Sequence, residues 1–131
     1  MIDTSALLAA IIGSHEHHDS ARPHLTATTR IPAIVMAETF SQLRRTFAQP
    51  ADIAAAVLAP WWSSDALVLP TSAATVSVVF ARAVELDLGG NIHDALIAQT
   101  CLDHDAGLVT LDRRQHRTAL ALGVDSVLLL S

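Results

Sequence analysis

Apolar positions along this chain change repeatedly between the spacing of a buried strand and the spacing of a helix. Short apolar runs that are bounded by Pro, Gly or polar residues are typical of buried strands. Such runs predict strands over 1–3, 31–33, 66–69, 108–110 and 126–130. Between them, apolar residues repeat every three or four positions and predict helices. Three of these helices cover 34–47, 71–86 and 113–122. Two others begin at Thr4-Ser5 and at Pro50, and a sixth contains Asp94.

Two of the predicted helices carry a clear apolar stripe. In the helix over 34–47 the stripe consists of Met36, Phe40, Leu43 and Phe47. In the helix over 71–86 it consists of Val76, Val79, Phe80, Ala83 and Val84. Because residues at this spacing share one side of a helix, we expect both stripes to face a core.

Two helix ends carry recognisable signals. Thr4 or Ser5 is predicted to cap the first helix, since a hydroxyl can accept a hydrogen bond from a free backbone N–H. Gly89-Gly90 is predicted to end the helix over 71–86.

The alternation of strands and helices predicts the fold class. Consecutive strands joined through a helix pair in parallel, and such sheets are covered by helices on both faces. We therefore expect an α/β fold with a central, mainly parallel sheet. The 131 residues are enough for one core, and no linker or repeat divides them, so we assign 1–131 to a single domain.

Composition narrows the class of protein further. The apolar content of 51% with only 5 Gly and 5 Pro favours a globular chain over a disordered one. No apolar run has the roughly 18 residues of a membrane span, and no basic segment of a signal peptide precedes the first apolar residues. The single cysteine, Cys101, allows no internal disulfide. We therefore expect a cytoplasmic protein with no membrane partner, and the sequence leaves open whether residues precede Met1.

The charged residues exclude some chemistries and leave others open. All 8 basic residues are Arg, and the absence of Lys excludes phosphoryl-transfer folds that depend on a Lys. The formal net charge of −5 looks unfavourable for binding to nucleic acid. Four of the 13 acidic residues, however, are candidate metal ligands, and bound cations would offset them. The net charge therefore decides little.

Four acidic residues take equivalent places in the predicted elements. Asp3 follows the first strand, Glu38 lies early in a helix, Asp94 lies in the first turn of another helix, and Asp112 follows the strand over 108–110. A single Asp at a strand end is more often a helix cap than a ligand. Four acids in this order are more specific, because the carboxyl edge of a parallel sheet is where sites form.

Gathered carboxylates predict a bound cation. Their mutual repulsion raises the pKa of each group unless a positive ion neutralises them. Hard oxygen ligands suit Mg²⁺ or Mn²⁺, and two such ions can activate a water and stabilise the leaving oxygen of a phosphodiester. The acids therefore predict a metal site that cleaves nucleic acid.

The segments around these acids carry a family pattern. They are Ile2-Asp3-Thr4-Ser5-Ala6-Leu7, Ala37-Glu38, Asn91-x-His93-Asp94-Ala95-Leu96-Ile97-Ala98 and Val109-Thr110-x-Asp112-Arg113. In order and spacing they resemble the four acidic motifs of the PIN-domain ribonucleases, most of all those of the VapC toxins of bacterial VapBC toxin–antitoxin systems. The resemblance covers essentially the whole chain.

The resemblance implies a PIN-like α/β/α sandwich and an endoribonuclease that depends on Mg²⁺ or Mn²⁺. It implies that the metal is held by Asp3, Glu38, Asp94 and Asp112, with Ser5 and Thr110 in support. It also implies a VapB-type antitoxin partner and a homodimer. Because sequence-specific RNA recognition favours exposed single-stranded loops, we expect a tRNA or rRNA loop as the substrate.

The chain departs from the family pattern in two places. Its first strand is unusually short, which bears on the placement of Asp3. Many relatives have an aromatic residue three or four positions after the last acid, whereas this chain has Gln115 and His116. The packing and the RNA contacts there are therefore left open.

Several further residues have two interpretations. Arg45, His93 and Arg113 are candidate contacts for RNA or antitoxin, although a solvated helix face or a local hydrogen bond explains them as well. The cluster from His15 to Asp19 is better explained as a polar face than as a transition-metal site. We expect one of Trp61-Trp62 in the core and Cys101 to be a core thiol.

Three other functions compete with the toxin interpretation. An Asp after the first parallel strand also serves as a phosphate acceptor in haloacid-dehalogenase-like and receiver domains, but both need a Lys that this chain lacks. A PIN nuclease of RNA processing and a catalytically silent PIN binding module remain as alternatives. An adjacent small antitoxin gene would favour the toxin.

Overall fold

The computed structural model describes residues 1–88 and 92–130, and its elements follow the predicted alternation. The helices are α1 (Thr4–Ile11), α2 (His18–Ala21), α3 (Ala33–Arg45), α4 (Ala51–Trp62), α5 (Ala73–Glu85), α6 (Ile92–Asp103) and α7 (Arg113–Ala121). The strands are β1 (Ile31–Pro32), β2 (Val68–Leu69), β3 (Leu108–Thr110) and β4 (Ser126–Leu128). The predicted stop at Gly89-Gly90 lies outside the described residues. Within them, no helix is both long enough and apolar enough to cross a membrane.

The strand pairs in the described ranges are parallel, which confirms the predicted α/β class. β1 pairs with β2 in the register Ile31↔Val68, and β3 pairs with β4 in the register Leu108↔Ser126. β3 has the predicted bounds, whereas β1, β2 and β4 are shorter than predicted and the strand expected over 1–3 is a single bridge. In this part of the chain the strands form two hydrogen-bonded pairs rather than one continuous sheet. Pro32 ends β1 early because it lacks a backbone N–H and directly precedes α3.

The short first strand is nevertheless enough to fix Asp3. Ile2, which is fully buried, forms a single parallel bridge with Val109 in β3. The backbone N–H of Asp3 donates to the carbonyl of Val109 at 3.1 Å, and the N–H of Val109 donates to the carbonyl of Met1 at 2.8 Å. These two bonds hold the chain on both sides of the bridge, so Asp3 leaves the strand in a defined direction.

Helices cover the strands and enclose the core. α1 packs against α2, α3 and β3, whereas α6 packs against α5 and α7. The predicted stripe of α3 is confirmed, since Met36 and Leu43 are buried and Phe40 and Phe47 are partly buried against the core. Trp61 is buried and donates to the carbonyl of Thr26 at 3.0 Å, whereas Trp62 is 52% exposed.

The predicted stripe of α5, by contrast, does not face the core. Val79 is fully buried, but Val76, Phe80 and Val84 are 36%, 58% and 86% exposed. α5 packs on α6 through the side that carries Thr75 and Val79, and the Thr75 hydroxyl donates to Asp103 at 2.6 Å. The inward prediction was therefore wrong, because helical spacing shows which residues share a side but not which side meets the core.

Candidate active site

The four predicted acids converge on one cavity of about 270 Å³. It lies where the chain leaves the Ile2–Val109 bridge and where β3 passes into α7, at the carboxyl ends of these parallel strands. Its lining consists of Asp3, Thr4, Ser5, Leu8, Glu38, Gln42, Asp94, Ile97, Asp112, Arg114 and Gln115. The fold thus brings together acids that are far apart in the sequence.

Asp3 is buried and is held by three donors. It is the N-cap of α1, and its Oδ1 accepts from the backbone N–H of Ala6 at 2.9 Å and from the Ser5 hydroxyl at 2.8 Å. Its Oδ2 accepts from the Thr110 hydroxyl. The predicted capping role of Thr4 or Ser5 is therefore wrong: Asp3 has the extended backbone of a cap, and Thr4 already belongs to the helix.

Asp112 is held in a similar way at the start of α7. Its Oδ1 accepts from the backbone N–H groups of Arg114 and Gln115, at 2.8 Å and 3.4 Å. Its own N–H donates to the Thr110 hydroxyl at 2.9 Å, and that hydroxyl donates its proton to Asp3. A single threonine therefore links the two capping acids.

Glu38 and Asp94 are less well satisfied. Glu38 lies on α3, and Asp94 lies in the first turn of α6. Glu38 Oε1 and Asp94 Oδ2 are both buried without a hydrogen-bond partner among the described residues. Asp94 Oδ2 lies 3.2 Å from Nε of Arg114, an ion pair that lacks the alignment of a hydrogen bond. Within the described ranges, Glu38 Oε1 therefore has no hydrogen-bond partner, and Asp94 Oδ2 has only the charge of Arg114.

Burial and the charges of neighbouring acids raise the free energy of the ionised forms of Asp3, Glu38 and Asp94. The pKa of Asp3 is raised by burial, and the hydrogen bonds from Thr110, Ala6 and Ser5 oppose the rise. Burial also raises the pKa of Glu38, against the opposing effect of His93 and with the negative charges of Asp94 and Asp3 adding to it. The pKa of Asp94 is raised by burial and is held down in part by the charge of Arg114.

The donor chemistry of the cavity fits a divalent cation. It presents carboxylate oxygens, of which two are buried without a hydrogen bond, and hard cations favour such ligands. Across 1–88 and 92–130, however, no three His, Cys, Asp or Glu side chains already stand as a closed ligand shell. Asp3, Asp94 and Asp112 instead contact donors of the protein itself. Ligation therefore requires small side-chain movements or bridging waters, which Mg²⁺ commonly retains.

Gln115 is a site residue that the sequence interpretation did not recognise. It is 2% exposed, and its side-chain amide donates to the backbone carbonyl of Asp94 at 3.0 Å. Its neighbour His116 contacts the hydroxyl of Ser126 at 2.8 Å through Nδ1. The two residues that replace the aromatic position therefore tie α7 to α6 and to β4. The spacing Asp112-x-x-Gln115, typical of a capping box, was the signal available in the sequence.

The candidate contacts for RNA or antitoxin lie outside the cavity lining. Arg45, in the last turn of α3, and Arg113, at the start of α7, are exposed. His93 is exposed and close enough to Glu38 and Asp94 for its charge to lower the pKa of both. Arg114, rather than Arg113, reaches the acids.

Two side predictions concern other parts of the chain. The histidine segment forms local contacts: His18 Nδ1 lies 2.8 Å from the carbonyl of Ala9, and His17 lies 3.5 Å from Glu16. No metal-binding group was found there or elsewhere in the described ranges. Cys101 is buried, and burial raises the pKa of its thiol to about 11, as expected for a core thiol.

Comparison with a family model identifies the domain that contains this cavity. The model of the PIN domain matches residues 1–120. The chain belongs to the PIN domain family. The resemblance seen in the sequence is therefore confirmed at the level of the family. The four residues that it matched to the acidic motifs all line the cavity.

Solved structures agree on the PIN fold. The chain is similar to VapC20 from Mycobacterium tuberculosis, described as a sarcin-ricin loop cleaving toxin, with 19% identity, a TM-score of 0.75 and 96% of each chain covered. It is also similar to FitAcB from Neisseria gonorrhoeae, with 17% identity, a TM-score of 0.67, and 98% of this chain and 96% of that chain covered. Among curated proteins there is no significant match. At these identities the likeness shows the fold alone.

Proposed function

We propose that this chain is the toxin of a type II toxin–antitoxin pair and acts as an endoribonuclease that depends on Mg²⁺ or Mn²⁺. The observation that carries the proposal is the convergence of Asp3, Glu38, Asp94 and Asp112 on one cavity of a PIN domain. Two of these acids each have a buried oxygen without a hydrogen bond. The name of VapC20, a toxin that cleaves the sarcin-ricin loop, supports an RNA loop as the substrate class.

The residues that would hold the cation are these four acids. Glu38 and Asp94, whose buried oxygens lack a hydrogen bond, would contribute ligands to it, and Asp3 and Asp112 would contribute further lone pairs beside their capping bonds. A cation bound there supplies Lewis-acid activation of water and neutralises charge at the phosphodiester. Magnesium and manganese are both compatible with an all-oxygen ligand set.

The protein's own groups set the geometry of the reaction. Thr110 and Ser5 hold Asp3 against rotation, and Gln115 holds the backbone at Asp94. The carboxylates thereby stay directed to one cavity, where a phosphodiester can be aligned with the water that attacks it. Hydrolysis forms a bond from that water to phosphorus and releases the 3′ oxygen.

Partners follow from the same proposal. A VapB-type antitoxin is expected to inhibit the toxin by covering the acidic cavity. We also expect a homodimer, and the exposed apolar stripe of α5, formed by Val76, Phe80 and Val84, offers a surface for it. Light scattering of the purified chain gives its oligomeric state, and a monomer at micromolar concentration contradicts the homodimer alone.

The experiment that tests the nuclease function is cleavage of RNA by the purified chain. Total bacterial RNA is incubated with Mg²⁺ or Mn²⁺, beside an EDTA control, an Asp94→Asn variant and an Asp52→Asn variant that removes an exposed acid of α4. We expect discrete fragments with the wild type and with Asp52→Asn, and none in the other two reactions. Cleavage that survives Asp94→Asn contradicts the proposed site.

The toxin role needs a separate measurement. Expression of the wild type in bacteria is expected to arrest growth, whereas Asp94→Asn is tolerated. Co-expression of the gene adjacent to this one is expected to restore growth. Cleavage of RNA without growth arrest indicates a PIN nuclease of RNA processing, and the absence of both indicates a binding module.

A further inference from the structure

Arg114 contacts two of the four acids through different parts of the residue. Nε of its side chain lies 3.2 Å from Asp94 Oδ2, and its backbone N–H donates to Asp112 Oδ1 at 2.8 Å. The backbone bond fixes where the side chain starts, at the second residue of α7. The side chain of Arg114 is 62% exposed, whereas that of Asp94 is 12% exposed. The guanidinium thus closes one side of the cavity while it stays in contact with solvent.

The position of Arg114 differs from that of other arginines on α7. Arg117, one turn further along, is exposed and is not among the residues that line the cavity. Of the described residues that line it, Arg114 is the one with a permanent positive charge. Its charge is therefore the protein's own compensation for the acids.

A simple surface ion pair is the alternative explanation for this contact, and such pairs contribute little to stability. It does not explain why the pair involves this particular oxygen. Arg114 faces Asp94 Oδ2, which is one of the two buried carboxylate oxygens without a hydrogen bond and hence a preferred ligand atom. A divalent cation bound to this oxygen repels a guanidinium whose Nε lies 3.2 Å from the same atom, so we expect binding of the cation to displace Arg114.

The displaced side chain remains tethered at the mouth of the cavity. Its backbone is still bound to Asp112, so the guanidinium can move only within the reach of one side chain. A phosphodiester that enters an acidic cavity brings further negative charge, and a guanidinium matches two phosphate oxygens with two parallel N–H donors. Phosphate is therefore the partner that best replaces Asp94.

We propose that Arg114 is a substrate-binding residue that exchanges partners: it neutralises Asp94 in the metal-free protein and binds a phosphodiester of RNA once Asp94 binds a divalent cation. This inference rests on the proposed nuclease function. It predicts opposite effects of one substitution. Removal of Arg114 strengthens binding of the cation, because a competitor is lost, and weakens binding of RNA, because a phosphate contact is lost.

The test compares Arg114→Ala and Arg114→Lys with Arg117→Ala, which removes the same charge from the same helix outside the cavity. Calorimetric titration with Mn²⁺ alone is expected to show roughly threefold tighter binding for Arg114→Ala, a modest factor because the ion pair is partly exposed. Fluorescence anisotropy with a labelled single-stranded oligoribonucleotide, with Ca²⁺ present to limit cleavage, is expected to show about tenfold weaker binding.

The two remaining variants separate charge from geometry. Arg114→Lys keeps the charge but not the planar pair of donors, so we expect near-wild-type affinity for Mn²⁺ and only partial recovery of RNA affinity. Arg117→Ala is expected to change both affinities by less than about twofold. Thermal unfolding in EDTA, which we expect to be similar for the three variants and the wild type, shows that all of them fold.

The outcomes distinguish this inference from the proposed function. If the wild type binds Mn²⁺ and cleaves RNA, but Arg114→Ala behaves like Arg117→Ala in both titrations, the partner exchange is wrong and the nuclease stands. Weaker binding of Mn²⁺ by Arg114→Ala also overturns the exchange, because it means that Arg114 supports the ligands. If the wild type neither binds Mn²⁺ nor cleaves RNA, both proposals fall.

Discussion

Asp3 and Asp112 cap α1 and α7 and are held by backbone N–H groups, whereas Glu38 and Asp94, which face the same cavity, each have a buried oxygen without a hydrogen bond. The capping pair is part of the fold, since each carboxylate satisfies donors at a helix start. The free pair satisfies nothing comparable, and burial makes its ionised form costly. The difference suggests a division of roles, in which the caps set the position of a cation and the free pair sets its affinity.

The largest expected effect comes from the free pair. Asp94→Asn removes the charge of a ligand, and the side chain of Asp94 makes no hydrogen bond to the backbone of the described residues. We therefore expect the RNA cleavage rate to fall by about a thousandfold or more, which is on the order of 4 kcal/mol in activation free energy. The free energy of unfolding in EDTA should stay equal to that of the wild type or rise. Urea unfolding and single-turnover cleavage measure both. A loss of stability in step with activity would mean that Asp94 is structural.

The capping pair is expected to behave in the opposite way. Asp3→Ala leaves the N–H of Ala6 and the hydroxyls of Ser5 and Thr110 without their acceptor, at a cost of about 3 kcal/mol in metal-free unfolding. The control Asp112→Ala removes a more exposed cap and is expected to cost about 1 kcal/mol. Equal stability of Asp3→Ala and the wild type in EDTA contradicts the structural role assigned to Asp3.

A substitution of Gln115 tests the positioning of Asp94 without a change to any carboxylate. Gln115→Leu keeps the buried volume but removes the donor to the carbonyl of Asp94. We expect Mn²⁺ affinity to fall by about tenfold, as for other residues that orient ligands. Thr118→Val, a substitution on the same helix outside the cavity lining, serves as the control. If calorimetry gives the same affinity for both variants and the wild type, the positioning role of Gln115 is wrong.

The smallest expected effect is a dependence of stability on pH. Burial raises the pKa of Glu38, so the folded state holds its proton more tightly than the unfolded state does. This contribution to stability is complete below the ordinary pKa of Glu, about 4.3, and is lost as the pH rises through the raised value. In EDTA, Glu38→Gln should therefore gain stability relative to the wild type as the pH rises from 4 towards neutrality. Urea unfolding at pH intervals of roughly 0.5 measures the difference.

The pH dependence of the stability of Glu38→Gln is compared with that of a variant at another acid. Glu85→Gln, which removes an exposed acid of α5 outside the cavity lining, is measured beside it as the control. A constant offset between Glu38→Gln and the wild type, independent of pH, would show that the carboxylate of Glu38 titrates alike in the folded and unfolded states.

The sequence was sufficient for the parts that local rules control. The order of strands and helices, the four acids and the placement of Asp3 and Asp112 after strands follow from spacing and from the rule that parallel strands share a carboxyl edge. The outward stripe of α5 could not be predicted in this way, because the choice of buried side depends on α6. The contact of Arg114 with Asp94 could not be predicted either, because the two residues lie on different helices and meet only through the packing of α6 on α7.

Calorimetric titration of Mn²⁺ into the purified chain, in the absence of RNA, tests most directly whether the four acids form one metal site. Wild type and Asp52→Asn are compared with Asp94→Asn and Glu38→Gln under the same conditions. We expect the same affinity for the first two, and at least about tenfold weaker binding for each of the last two. Binding by Asp94→Asn and Glu38→Gln that equals that of the wild type would contradict the assignment of the four acids as one metal site.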